Sequence, residues 1–178
     1  MSATIAPPAS DEYNPYYAGY VGRVPDGDIL AILAAQPAVL DGLLRDLSDA
    51  EARSRFAPGE WTIKEVVGHL IDAERLFAHR ALTIARADPA PLPGFDQDAY
   101  VAAADYDARP LADLLDELGH LRQANLLAFR HLPAGASERR GTASEWPVSV
   151  RALLHILAGH LTYHLEDLRE KYLPALGR

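Results

Sequence analysis

Three of the seven histidines in this 178-residue chain are spaced so that they can share one ion. His160 and His164 stand four residues apart, a spacing that stacks two imidazoles on one helix face and lets both reach one metal. Taking about 100° per residue and His160 as zero, Leu153, Ile156, Leu157, Leu161 and Leu168 fall between roughly −40° and +100°, with His164 at about 40°. The pair therefore lies inside the apolar stripe. Around His69, Val66, Ala73, Leu76, Phe77 and Ile84 fall between about −20° and +80°, so this ring also faces inward. The other four point elsewhere: His155 to the far side of its helix at about 220°, His79 to the edge of its stripe, His120 and His131 to the surface. Separately satisfied core histidines are the competing reading. Against it stands the desolvation cost of unpaired rings, which a shared cation removes. Three neutral imidazoles also leave the fourth position of a tetrahedral ion open, as in catalytic rather than structural sites.

Nearby carboxylates are candidates for orienting an imidazole or for general-base work. Asp167 follows His164 at about −20°, on an apolar face where a carboxylate needs a partner, while Asp72 and Glu65 flank His69 at about −60° and −40°. Glu65 is also explained as a helix cap, and Asp72 as a solvated edge. Arg80, about 20° from His69 and three turns on, is the candidate for binding an anionic substrate. The Arg139-Arg140 pair reads as a solvated loop.

The elements that must position these residues are helical. From Asp26 to Leu47 the residues Ile29, Leu30, Leu33, Leu40, Leu43, Leu44 and Leu47 repeat at helical spacing, with Pro37 predicting a kink or break near Ala35. Thr62-Ile63-Lys64-Glu65 is a capping box opening a second helix to about Ala87. A long loop, Asp88 to Arg109, carries Pro89, Pro91, Pro93 and Gly94. Pro110, in a first turn, starts a third helix to about His131. Pro133 to Trp146 is a connection, Ser149 the N-cap of the last helix and Pro174 its stop. No strand pattern stands out. The expectation is an all-α four-helix bundle over residues 26–178, preceded by an extended arm, residues 1–25. Met1 to Asp11 is expected to fray, and the tyrosines from Tyr13 to Tyr20 to pack on the body.

Composition bounds the function. The chain is 49% hydrophobic, enough for one well-cored domain, and carries 17 basic against 25 acidic residues for a formal charge of −8. Without a basic stripe, nucleic acid is not an expected partner. No apolar run reaches the roughly 20 residues that cross a bilayer, and the N-terminus does not read as a secretory signal, so no membrane partner and a cytoplasmic location are expected. Cysteine is absent. That excludes disulfides, thiolate metal sites and a protein-borne thiol nucleophile.

Three segments resemble a known family: Ala57 to Arg75, containing Glu60-Trp61 and Gly68-His69; Pro93 to Tyr100; and Leu153 to His164, containing Gly159-His160. Over nearly its whole length the chain is similar to the DinB-like superfamily, the group that includes the YfiT-type proteins of bacilli. The resemblance implies an up-down-down-up bundle, one histidine-ligated divalent ion (zinc, nickel or iron) and a homodimer formed through helical faces. Characterised members include bacillithiol S-transferases, mycothiol-dependent maleylpyruvate isomerases and the amino-terminal domain of ergothioneine-forming enzymes.

The first functional expectation is therefore a metal-dependent transferase acting on a small-molecule substrate with a low-molecular-weight thiol, since a divalent ion stabilises a thiolate at neutral pH. The alternatives are a metal-dependent hydrolase with water in the open position, and a non-catalytic metal-binding module for dimerisation.

Overall fold

The computed structural model describes residues 5–178. In chain order its elements are α1 (Ala18–Val21), α2 (Ile29–Leu44), α3 (Ile63–Ala85), α4 (Gln97–Ala104), α5 (Leu111–Arg130), β1 (Arg140–Ala143), β2 (Trp146–Ser149) and α6 (Val150–Asp167). The helices start where side chains can replace missing backbone acceptors. Asp28 accepts from the Leu30 amide, Thr62 and Glu65 form a reciprocal capping box, and Ser149 accepts from the Ala152 amide. Pro110 takes the N-cap position itself, one place earlier than a first-turn proline.

α2, α3, α5 and α6 form the bundle. α3 packs on α5 and α6, α2 packs on the same two, and α2 and α3 face each other across the diagonal. Directions follow from paired residues. Lys64 and Glu74 of α3 reach Arg109 and Arg122 respectively, so α3 and α5 run parallel. Arg45, just past the C-terminal end of α2, meets Asp116, whereas Leu33 meets Arg122, so these two helices are antiparallel. The Trp61 carbonyl, just before α3, accepts from the Tyr172 hydroxyl beyond α6, whereas the Ala85 carbonyl at the end of α3 accepts from Arg139 ahead of α6, so that pair is antiparallel as well. The result is the up-down-down-up bundle that the family resemblance implies.

The interior divides into two apolar clusters. One gathers Ile29, Leu33, Phe77, Ala81, Phe129 and Leu154; the other gathers Leu40, Leu44, Ile63, Leu114, Leu118 and Leu165. Each buried Leu, Ile or Phe among them stabilises the fold by about 1.5–3 kcal/mol. Between the clusters lies a buried polar layer containing Gln36, His69, Glu74, Arg122, His160 and His164.

Several expectations need correction. Pro37 does not break α2, which runs through it. A proline cannot donate to the carbonyl four residues back, and that carbonyl, on Leu33, instead accepts from Arg122 Nη1 at 2.8 Å. The Asp88–Arg109 loop contains α4, because the Asp96 carboxylate accepts from the amides of Asp98 and Ala99. The connection before α6 contains the hairpin β1–β2, registered Arg140 to Ser149 and Ala143 to Trp146. Its turn uses Ser144 and Glu145 at φ 51° and 67°, in place of the glycine or asparagine that usually marks such a turn. Beyond α6 the chain makes a π-helical turn, Leu168–Tyr172, so the α-helix ends at Asp167, before Pro174 acts.

The arm also differs from expectation. Met1–Thr4 lie outside the described residues, but Ile5, within the segment expected to fray, is buried, and Glu12 just after that segment is buried as well. Glu12 accepts from Ser149 Oγ at 2.6 Å and from Arg151 Nε at 2.8 Å. α1 then lies along α6. This coverage buries His155, whose Nδ1 stands 2.8 Å from the Arg151 carbonyl, on the helix side that was expected to face outward. Tyr20 of α1 packs so closely that a Cβ at Gly159 would overlap the Tyr20 carbonyl. No helix among the described residues is long and apolar enough to cross a membrane.

Candidate metal centre

The three inward histidines meet in the polar layer. His69 comes from α3, and His160 and His164 from α6. His69 Nε2 lies 2.9 Å from His160 Nε2, which lies 3.2 Å from His164 Nε2. Their ligand atoms all fall within 4.8 Å of one another. Two nitrogens sharing one zinc at about 2.0–2.1 Å would stand roughly 3.3 Å apart, close to these separations. Two of the three histidines, His69 and His160, follow a glycine at a close approach. Gly68 lets the Tyr106 ring lie against α3, and Gly159 lets the arm lie against α6.

The electrostatics favour neutral imidazoles. Burial pushes His69 down to about 4 and His164 down to about 3. Burial, reinforced by the other two rings, pushes His160 well below its ordinary value. Neutral rings alone do not satisfy the site. His160 Nε2 has either one lone pair or one N–H, and it must serve two neighbours at once. His69 Nδ1 is buried with no hydrogen-bond partner. A cation accepting three converging lone pairs resolves that crowding, so these residues fit a divalent ion.

The expected supporting carboxylates are placed differently. Asp72 accepts from the Tyr106 hydroxyl at 2.7 Å, and Glu65 accepts from the Thr62 amide at 2.7 Å. Neither orients His69. Asp167 lines the cavity with the three histidines and pairs with Lys171 at 2.8 Å. Arg80 is buried and donates to the Pro93 carbonyl at 2.7 Å and to Ser144 Oγ at 3.2 Å. Arg139 donates to the Ala85 carbonyl at the end of α3, so it is not a merely solvated residue. His79, His120 and His131 are exposed, as their facings predict.

Aromatic residues complete the surroundings. The Trp61 ring lies 4.8 Å from His69, Tyr20 meets His160 edge-on at 5.3 Å, and Tyr163 meets His164 at 5.1 Å. Their part in the site was not read from sequence, although the tyrosine-rich arm signalled rings that would pack on the body. A cavity of about 480 Å³ opens on all three histidines. A smaller one of about 340 Å³ shares His69, His160, Tyr16, Tyr20 and Gln97 with it. The two compartments meet at His69 and His160.

Fold and site together define a four-helix-bundle protein with a three-imidazole centre able to hold a metal ion. The sequence model of the DinB superfamily matches residues 32–168, and the chain belongs to that superfamily. Among solved structures it is similar to YfiT from Bacillus subtilis, described as a probable metal-dependent hydrolase with an unusual four-helix bundle topology. That match has a TM-score of 0.78 at 18% identity and covers 93% of this chain and 94% of the other. No curated protein matches the sequence.

Proposed function

We propose that the protein is a divalent-metal-dependent enzyme whose ion is held by His69, His160 and His164. Three neutral, converging Nε2 atoms opening on a cavity carry this reading. When bound, the ion supplies Lewis-acid polarisation and lowers the pKa of a coordinated thiol or water. The residues of the chain do the rest. Trp61 and Tyr20 flank the imidazoles and exclude water from their outer faces. Asp167, which lines the same cavity and pairs with Lys171, is the carboxylate placed to serve as general base.

The preferred reaction is transfer between a low-molecular-weight thiol and a second small molecule. Two compartments converging on His69 and His160 leave room for two substrates. Hydrolysis is the second reading, favoured by the description of YfiT and by the position of Asp167. Elemental analysis of the purified protein beside His160→Ala tests the metal. One equivalent is expected in the first and none in the second, and full occupancy in the variant would overturn the ligand set. Cobalt substitution then separates the reactions. A visible-spectrum change on adding small thiols supports transfer, whereas thiol-independent, metal-dependent ester cleavage supports hydrolysis.

A further inference from the structure

Behind the wall of the smaller cavity lies a charge that the metal centre does not use. Arg80 is 3% exposed, yet it pairs with no carboxylate among the described residues. The other deeply buried arginine, Arg122, is neutralised by Glu74. Arg80 instead lies over the rings of Phe77 and Phe95, at 5.4 Å and 5.9 Å. Its hydrogen bonds to Pro93 and Ser144 both leave from Nη2. A guanidinium stripped of water and lacking a counter-charge sets a positive potential in the space beside it. That space is the cavity, because Phe77, Phe95 and Ser144 all line it.

Ser144 connects the charge to the cavity. Its hydroxyl accepts from Arg80, which leaves its own proton free to donate into the open space. The residue holds a left-handed φ of 51°, a conformation that glycine adopts at less cost. A non-glycine residue persisting there is consistent with a task for its side chain.

We propose that the smaller cavity is a subsite for the carboxylate of a small organic acid with a flat apolar body. The carboxylate accepts from the Ser144 hydroxyl, polarised by Arg80, and the body lies among Tyr17, Phe77 and Phe95. This deepens the metal-enzyme reading and rests on it for its purpose, since His69 and His160 line the same space. Its chemistry does not need the ion.

Calorimetric titration with benzoate, and with benzamide as its neutral counterpart, tests the subsite on metal-loaded and chelator-treated protein. Benzoate is expected to bind in both states and about 10-fold more tightly than benzamide, the scale of one hydrogen bond to a charged group. Ser144→Gly should weaken benzoate about 10-fold while leaving the melting temperature unchanged or higher, because glycine relieves the positive φ. Arg80→Met should abolish the preference for benzoate, and Arg80→Lys should keep part of it. Should Arg80→Met fail to fold, Ser144→Gly decides alone. Unchanged benzoate affinity in Ser144→Gly, equal binding of benzamide, or no benzoate binding would overturn the subsite. Binding only in the presence of metal would overturn it too, by placing the anion on the ion. Protein that takes up no metal even when divalent ions are supplied, yet binds benzoate, would instead end the metal reading and leave the subsite standing.

Discussion

Two buried polar centres share the middle layer of the bundle, and they are built on opposite rules. Around Arg122, every charge is answered. Glu74 takes its Nε and Nη2 at 2.8–3.1 Å, and Nη1 reaches the Leu33 carbonyl and Gln36 Oε1. Asn125 completes Glu74, and Gln36 continues to Ala158 and Thr162. This network ties α2, α3, α5 and α6 together. The histidine centre also spans helices, yet it leaves three nitrogens crowded together and one buried nitrogen without a partner. A saturated polar cluster specifies a fold, whereas an unsaturated one is shaped for something that arrives from outside.

The largest effect expected from this contrast is at Arg122. Arg122→Met leaves Glu74 buried without its counter-charge, and urea unfolding should show a loss of about 3–5 kcal/mol. The double variant Arg122→Met/Glu74→Leu should recover much of that loss, since removing both charges removes the uncompensated one. A loss below about 1 kcal/mol in the single variant would mean that the network is looser than its distances indicate.

The histidine centre should respond to metal rather than to truncation. At a free zinc concentration near one hundred times the dissociation constant, the folded protein should gain about 2.7 kcal/mol. In His160→Ala that increment should vanish, while any Arg122→Met protein that still folds should keep it. Metal-dependent stabilisation that survives in His160→Ala would erase the distinction between the two centres.

A third polar cluster lies nearer the surface and gives an intermediate case. The Arg151 guanidinium, helped by Ser149 and the Ala9 amide, holds the Glu12 carboxyl down at about 2 against its ordinary 4.5. A carboxyl depressed on folding stabilises the protein above its unfolded pKa. The contribution is therefore complete above about pH 4.5 and is lost as pH falls toward 2. Glu12→Gln should cost about 1–2 kcal/mol near neutrality and should flatten the acid limb of the stability–pH curve. Hydrogen exchange should show the arm, Ile5 to Arg23, loosening first.

What the sequence made legible was whatever followed from one helix at a time. The 3.6-residue period separated His69, His160 and His164 from the exposed His79, His120 and His131, and the Thr62 and Ser149 caps set two helix starts. Some misreadings came from partners distant in the chain, others from local signals that were atypical or masked. His155 lies on the outer face of α6 by periodicity and is buried because the arm covers that face. Arg122 and Glu74 are 48 residues apart, and no local pattern announces their pairing. The Ser144-Glu145 turn lacks the usual glycine, so its hairpin left no mark. Asp96 was a readable N-cap within a segment that its prolines made look structureless.

The smallest effect expected is at Pro37, and it separates two accounts of α2. In an ordinary helix interior a proline costs about 3 kcal/mol, so replacing it with alanine would stabilise by that order. Here the carbonyl that Pro37 leaves free is already bonded to Arg122. An alanine amide at position 37 would compete for that acceptor, and the unfolded chain would regain the freedom that proline removes. The two effects oppose each other, so Pro37→Ala should change the unfolding free energy by less than about 1 kcal/mol in either direction. In an Arg122→Met background the competition is gone, and the same substitution should become clearly stabilising. If Pro37→Ala alone already stabilises by about 3 kcal/mol, the Leu33 carbonyl is not reserved for Arg122, and the saturated centre has one tie fewer than its geometry indicates.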